Sequence, residues 1–158
     1  MKLKLTALLA LGLVTNEAHA LNALSSCNHL ETTPKIQEID TKEHEVNNIY
    51  RTQIQGQLGA VARQPVDGRG PACQSLRTVV EQWDQKAAAI VPLLMQALPA
   101  VKLAEGGHEH GARTPCYDEL KGDIVEIPKS RQRLADQFNS ACVRLDPPLP
   151  PARDGGGR

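Results

Sequence analysis

The longest regular pattern of apolar positions in this chain begins at Cys73. Counting forward from it in alternating steps of three and four residues meets only apolar side chains as far as Val101. This spacing keeps the side chains on one face of an α-helix. The positions are Cys73, Leu76, Val80, Trp83, Ala87, Ile90, Leu94, Ala97 and Val101. Because a proline is favoured at the first position of a helix, the pattern predicts a core helix from Pro71 to Val101.

The two halves of this predicted helix differ in composition. The first half is amphipathic, whereas the stretch from Ala87 to Val101 contains a single polar side chain, Gln96. Fifteen residues are too few to cross a bilayer, so this half is expected to be core or an exposed apolar surface. Pro92 should kink the helix, and Pro99 should help to end it.

Three large apolar side chains in this stretch lie off the seam. They are Leu93, Met95 and Leu98, and methionine suits an adaptable binding surface. We expect these three residues to form a surface for a protein partner.

A helix is predicted before the central one, from Pro34 to about Arg63. Thr32 and Thr33 precede Pro34, and either could cap the helix. Gly56 and Gly59 weaken its last turns, because glycine costs about 1 kcal/mol relative to alanine in a helix.

A third helix is predicted from Pro115 to Leu145, with Thr114 as its cap. Arg131 interrupts its apolar seam three residues after Pro128. We interpret this as a kink or restart that leaves residues 129–133 facing water. The apolar positions of this seam are Leu120, Ile124, Ile127, Leu134, Phe138, Ala141 and Leu145.

These three segments define the expected fold class. They have similar lengths and short connections, and no stretch alternates as a strand would. The chain is therefore predicted to be all-α, with the three helices forming an up-down-up antiparallel bundle.

Four cysteines, Cys27, Cys73, Cys116 and Cys142, predict two disulfides. In the three-helix bundle, Cys27 and Cys116 fall at one end and Cys73 and Cys142 at the other, which favours those two pairs. The alternative joins Cys27 to Cys73 and Cys116 to Cys142. It requires Pro128 to fold the third helix into a hairpin, which gives a four-helix form.

The N-terminus has the features of a signal peptide. Lys2 and Lys4 precede an apolar run from Leu5 to Val14, and Ala18 and Ala20 have the spacing that signal peptidase prefers. Cleavage is expected after Ala20, which leaves a helical domain at residues 21–145. The proline- and glycine-rich tail, residues 146–158, is expected to be disordered. Export to the periplasm or outside the cell also agrees with disulfides.

Composition excludes some partners. The 18 basic and 18 acidic residues balance, and aromatic residues make up 3% of the chain. Neither a global positive field nor a stacking surface is available, so nucleic acid is not an expected partner. No membrane span is expected after removal of the signal.

Two short histidine motifs could hold a metal. His44 and Glu45 start like the HExxH motif, but Asn48 replaces its second histidine, so catalysis is not expected there. The sequence His108-Glu109-His110 lies in a glycine-rich loop and could bind zinc, copper or nickel.

No motif for a nucleophile, a phosphate-binding loop or a haem is present, so no cofactor and no enzymatic activity are expected. The hypothesis is an exported protein that binds another protein in the cell envelope, such as an inhibitor or immunity-type protein. Alternatives are a secretion or envelope-assembly accessory factor that uses its tail, and a metal or small-ligand carrier that uses the loop at residues 108–110.

Overall fold

The computed structural model describes residues 21, 24–30, 33–106 and 114–142. All regular secondary structure in these residues is helical, so the all-α prediction is confirmed. The elements are α1 (Pro34–Ile49), a π-helical turn (Tyr50–Ile54), α2 (Gln55–Arg63), α3 (Gly70–Ala104) and α4 (Pro115–Ala141). Short 3-10 helices cover Ser25–Leu30 and Val66–Gly68.

The first helical stretch is continuous from Pro34 to Arg63, as predicted, but it contains a π turn that the sequence did not reveal. A π turn adds a residue to one turn, and here both Tyr50 and Ile54 within it are buried. Thr33 occupies the N-cap position, although its side chain makes no capping hydrogen bond.

The central helix follows its predicted seam closely. The buried residues of α3 are the nine positions of that seam, from Cys73 to Val101. Pro99 does not end the helix, which continues to Ala104. Pro92 and Pro99 are both exposed and lie two turns apart on one face. The carbonyl groups that lose their amide partners can therefore meet solvent, which limits the cost of proline inside the helix.

The last helix is unbroken from Pro115 to Ala141 and passes through Pro128. The prediction that residues 129–133 face water was wrong at its centre, because Ser130 and Arg131 are buried. The predicted end at Leu145 lies outside the described residues.

Two disulfides connect the helices. Cys27 and Cys116 have Cα atoms 4.7 Å apart, and those of Cys73 and Cys142 are 5.8 Å apart. This is the pairing that the three-helix arrangement favoured. The alternative pairing was wrong because α4 is not folded into a hairpin, which leaves Cys116 and Cys142 near opposite ends of one helix.

The helices make their contacts mainly through α3, which packs against both α4 and α1. The start of α3 is bonded to the end of α4 through Cys73 and Cys142. Along the other side of α3, Lys86 forms an ion pair with Glu45 of α1 at 2.7 Å. The largest fully buried side chains include Trp83, Phe138, Ile39, Ile54, Leu76 and Ile90.

By length and composition alone, α3 is also long and apolar enough to cross a membrane. The expectation that this stretch is too short rested on 15 residues, whereas the helix has 35. Its core face, however, is covered by the rest of the protein, since all nine seam residues are buried.

Several predicted segments lie outside the described residues. They are the signal peptide at residues 1–20, the loop with His108, Glu109 and His110, and the tail at residues 146–158.

Candidate functional site

The three residues expected to form a partner surface do not lie on one face of α3. Leu93 follows Lys86 by two helical turns, and Lys86 reaches α1. Met95 precedes Lys102 by two turns, and the Lys102 ammonium lies over the Tyr117 ring of α4. Leu93 is therefore on the α1 side of the helix and Met95 on the α4 side. Residues two apart on a helix do not face each other, which is the physical reason for the separation.

Met95 and Leu98 do belong to one surface, which also includes groups from α4. Met95 is 58% exposed, and Leu98 is one turn further along α3 and half-buried. Lys102 and Lys121 place their Nζ atoms 5.7 and 5.5 Å from the centre of the Tyr117 ring. We call Met95, Leu98, Lys102, Tyr117 and Lys121 the α3–α4 patch.

The α3–α4 patch combines an apolar centre with two positive charges. Each lysine is close enough to the Tyr117 ring for a cation–π interaction, which orients the ammonium groups at the edge of the patch. Val125, which is 53% exposed, follows Lys121 by one turn and extends the apolar area. Asp118, the acidic neighbour of Tyr117, accepts a hydrogen bond from Thr114 at 3.4 Å. The arrangement is suited to a ligand with an apolar anchor and negative charge.

Two acidic side chains are buried in the core. Glu43 of α1 is fully buried, and Asp123 of α4 is 3% exposed. Burial, together with the negative charges of Asp123, Asp40 and Glu119, raises the pKa of Glu43 to about 9. Burial likewise raises the pKa of Asp123 to about 7, with contributions from Glu119 and Glu126. Glu43 is therefore protonated at neutral pH.

These buried acids have oxygen atoms without hydrogen-bond partners in the described part of the chain. They are both side-chain oxygens of Glu43 and Oδ2 of Asp123. No group of three or more possible metal-ligating side chains is arranged for a metal ion among the described residues.

The sequence contained a signal for one of the acids but not for the other. Glu43 continues the spacing of Ile36, Ile39 and Val46, so its position on the apolar face of α1 was readable. For α4 the counting placed Ile124 on the seam, whereas Asp123 is the buried residue and Ile124 is only partly buried. Either neighbour satisfies a helical period, so periodicity could not choose between them.

The N-terminus of α4 is capped by a residue that follows the end of α3. Glu105, just after α3, accepts hydrogen bonds from the backbone N–H groups of Cys116 and Tyr117 at 3.0 and 2.9 Å. The predicted cap, Thr114, occupies the N-cap position but makes no capping hydrogen bond. Nε2 of His29 lies 3.3 Å from the same Glu105 carboxylate. The Glu105 carboxylate thus caps α4 in place of the Thr114 hydroxyl, from 11 and 12 residues earlier in the chain.

Arg131 is buried because it has an ion partner on α3. Its Nε and one terminal nitrogen donate to the two carboxylate oxygens of Asp84 at 2.7 and 2.9 Å. This two-point contact matches the planar guanidinium to the carboxylate. The residue that interrupted the apolar seam therefore connects α4 to α3.

The HExxH-like stretch has a structural explanation. His44 is exposed, and its Nδ1 lies 2.9 Å from the carbonyl oxygen of Asp40. The side chain of Asn47 makes two hydrogen bonds with the backbone of Leu21. Its Oδ1 accepts from the amide N–H at 2.6 Å, and its Nδ2 donates to the carbonyl oxygen at 3.0 Å. Asn48 is exposed as well. Through Asn47, α1 therefore holds the backbone of Leu21.

Comparison of the chain with protein-family models, with curated proteins and with solved structures gives no match.

Proposed function

We propose that this protein is an exported, non-catalytic helical protein that binds an acidic, apolar-anchored segment of a protein partner through the α3–α4 patch. Its three long helical segments form an up-down-up antiparallel bundle in this proposal, and no segment of the mature protein crosses the membrane. The observation that carries the proposal is the patch itself. Met95 is exposed one turn before Leu98 on α3, and two lysines lie over the Tyr117 ring of α4. An exposed methionine and a half-buried tyrosine beside positive charge favour protein recognition over solvation alone.

Two further observations support the compartment. Both disulfides join positions far apart in sequence, with separations of 89 and 69 residues. Such bonds are stable in the periplasm or outside the cell, where thiols are not kept reduced. The features of a signal peptide at residues 1–20 agree with the same location.

Within this class, an inhibitor or immunity-type role fits best. A protein that blocks another needs a rigid surface rather than an active site. The disulfides and the packed core supply that rigidity, since all four cysteines are buried and joined in two bonds. A preformed surface binds at a smaller cost in conformational entropy.

The proposal is tested by quantitative capture from an envelope extract of the source cells, with the folded mature protein as bait. Met95→Asp and the pair Lys102→Glu with Lys121→Glu change the patch, and Val66→Asp with Arg51→Glu is the matched control. The control residues are also exposed and lie outside the patch. We expect each patch variant to lose at least tenfold in recovery of the captured protein, with the control unchanged. Equal recovery by all baits would contradict the patch as the binding surface.

Deletion of residues 146–158 distinguishes the accessory-factor alternative. Binding through the patch should survive the deletion. Loss of capture by the shortened protein, with the patch variants still binding, would assign the contact to the tail. The carrier alternative is tested by titrating the protein with zinc and copper, since His108, Glu109 and His110 supply the proposed ligands.

A further inference from the structure

An open groove lies between the last turns of α3 and the segment that leads into α1. It has a volume of about 220 Å³. Ile36, Ala97 and Val101 are buried at its floor, whereas Ala100 and Ala104 are exposed. Its apolar lining consists of Leu30, Ile36, Ala97, Ala100, Val101 and Ala104. No described residue of α4 contributes to the lining, so the groove is separate from the α3–α4 patch.

The groove is elongated along α3 because small side chains follow one another there. Ala97, Ala100 and Ala104 recur at steps of three and four residues and therefore lie in one row along the helix. The row is about 10 Å long. A methyl side chain fills little of the space between α3 and its neighbours, so the row leaves a narrow apolar channel. An unbranched alkyl chain matches this shape.

One end of the groove is polar. Its three polar lining residues are Thr33, Lys35 and Gln96. The Lys35 Nζ donates a hydrogen bond to Oε1 of Gln96 at 3.1 Å, in an exposed position. Thr33 is also exposed, and its side chain makes no capping hydrogen bond. Gln96 precedes Ala104 by about 12 Å along the helix axis, so the positive charge lies towards one end of the row of alanines.

The charge of Lys35 is not neutralised by a carboxylate. No acidic side chain in the described part of the chain forms an ion pair with it, and its partner Gln96 is neutral. Glu105 follows Ala104, but its carboxylate accepts hydrogen bonds from the N-terminus of α4 and its side chain is only 2% exposed. Glu38 of α1 is exposed and does not line the groove. An anion at the polar end would therefore be attracted, and a cation would be repelled.

We propose that this groove binds a free medium-chain fatty acid, with the carboxylate at Lys35 and the alkyl chain along Ala97, Ala100 and Ala104. The ammonium group has three N–H donors, so Lys35 can bind the carboxylate and still donate to Gln96. The hydroxyl of Thr33 is available as a second donor to the carboxylate. This proposal does not depend on the function proposed for the α3–α4 patch.

The test is isothermal titration calorimetry of the disulfide-bonded mature protein with sodium octanoate, below the concentration at which octanoate forms micelles. We expect saturable binding, together with shifts of the methyl resonances of Ala100 and Ala104 in ¹H–¹³C spectra. Octyltrimethylammonium has an alkyl chain of the same length and the opposite charge, and it should bind at least tenfold more weakly. Absence of saturable octanoate binding would overturn the proposal, as would equal affinity for the two probes.

Surface variants locate the site. Lys35→Glu reverses the charge at the polar end, so it should reverse the preference between octanoate and octyltrimethylammonium. Ala100→Glu places a carboxylate in the groove one turn after Gln96 and should abolish octanoate binding. Ala89→Glu is the matched control, since Ala89 is also exposed and lies about 17 Å before Ala100 on α3. It should bind octanoate as the wild type does.

Two outcomes with these variants would contradict the proposal. If Lys35→Glu still prefers octanoate, the carboxylate does not lie at Lys35. If Ala100→Glu and Ala89→Glu bind octanoate equally well, the alkyl chain does not lie along the row of alanines. Circular dichroism of each variant confirms that the helices are retained.

Discussion

Glu43 occupies a position on α1 where its neighbours Ile39 and Val46 are apolar. The side chain is fully buried, and the pKa of its carboxyl is raised to about 9 by burial and by nearby negative charges. Between its ordinary pKa and this raised value, the folded protein holds a proton that the unfolded chain has released. Folding stability from this group is therefore fully present below about pH 4.5 and falls as the pH rises towards 9. Asp123, with its pKa raised to about 7, adds a loss of the same sign from about pH 4 to 7.

Replacing Glu43 by glutamine should remove the part of this pH dependence that comes from position 43 and leave the part that comes from Asp123. Glutamine has a similar shape but cannot ionise, so we expect Glu43→Gln to be more stable than the wild type at pH 8 by on the order of a few kcal/mol. At pH 4.5 the two proteins should be similar. Urea unfolding at pH 4.5, 6 and 8 measures the difference.

The control for this experiment is Glu38→Gln, which changes an exposed glutamate on the same helix. It should leave the slope of stability against pH unchanged. If wild type and Glu43→Gln lose stability in parallel between pH 4.5 and 8, the buried carboxyl does not determine the pH dependence.

At the scale of the helices, the N-terminus of α4 is capped by a side chain from the end of α3. Glu105 follows the end of α3 and accepts hydrogen bonds from two N–H groups at the start of α4. Its negative charge also interacts favourably with the helix dipole at that end. Thr114 occupies the position at which local sequence rules expect the cap, yet its hydroxyl donates to Asp118 instead. The same cap anchors the backbone of Tyr117, at the centre of the α3–α4 patch.

Glu105 and Thr114, the two candidate caps, lead to different expected losses of stability. Glu105→Gln should destabilise the protein by about 1 to 2 kcal/mol, because Cys116 and Tyr117 donate to different carboxylate oxygens, and glutamine replaces one of these oxygens by an NH2 group that cannot accept. Thr114→Ala should change the free energy of unfolding by less than about 0.5 kcal/mol. Chemical denaturation of both variants provides the comparison, and a larger loss for Thr114→Ala would refute the cap assigned here.

At the scale of the molecule, the disulfides join distant parts of the chain. Cys27 is bonded to Cys116 near the start of α4, and Cys73 is bonded to Cys142 just after its end. The long α4 is thus bonded covalently near both ends to the rest of the protein. Between these bonds, Arg131 pairs with Asp84 and holds α4 against α3. The result is a scaffold that keeps the α3–α4 patch in place.

Removing either bond should lower stability by a similar amount. The separations of 89 and 69 residues correspond to about 4 kcal/mol for each disulfide in the chain-entropy description. We expect Cys27→Ser with Cys116→Ser, and Cys73→Ser with Cys142→Ser, each to lower the melting temperature by more than 10 °C. Differential scanning calorimetry measures this change. A melting temperature within a few degrees of the wild type would show that the unfolded state is not constrained by that bond.

The amino-acid sequence alone determined the all-α fold class, the positions of the main helical segments and the core face of α3. The apolar period of α3 is unambiguous over nine successive positions, and the favoured cysteine pairing followed from helix lengths. Tertiary structure decided what depends on contacts between elements. It placed Leu93 and Met95 on different sides of α3 and paired the buried Arg131 with Asp84. It also made Glu105 the cap of α4 and buried Nε1 of Trp83 without a hydrogen-bond acceptor among the described residues. The physical reason is that helical periodicity specifies which side of a helix is apolar, whereas the partner of a polar side chain depends on which residues of another helix lie opposite to it.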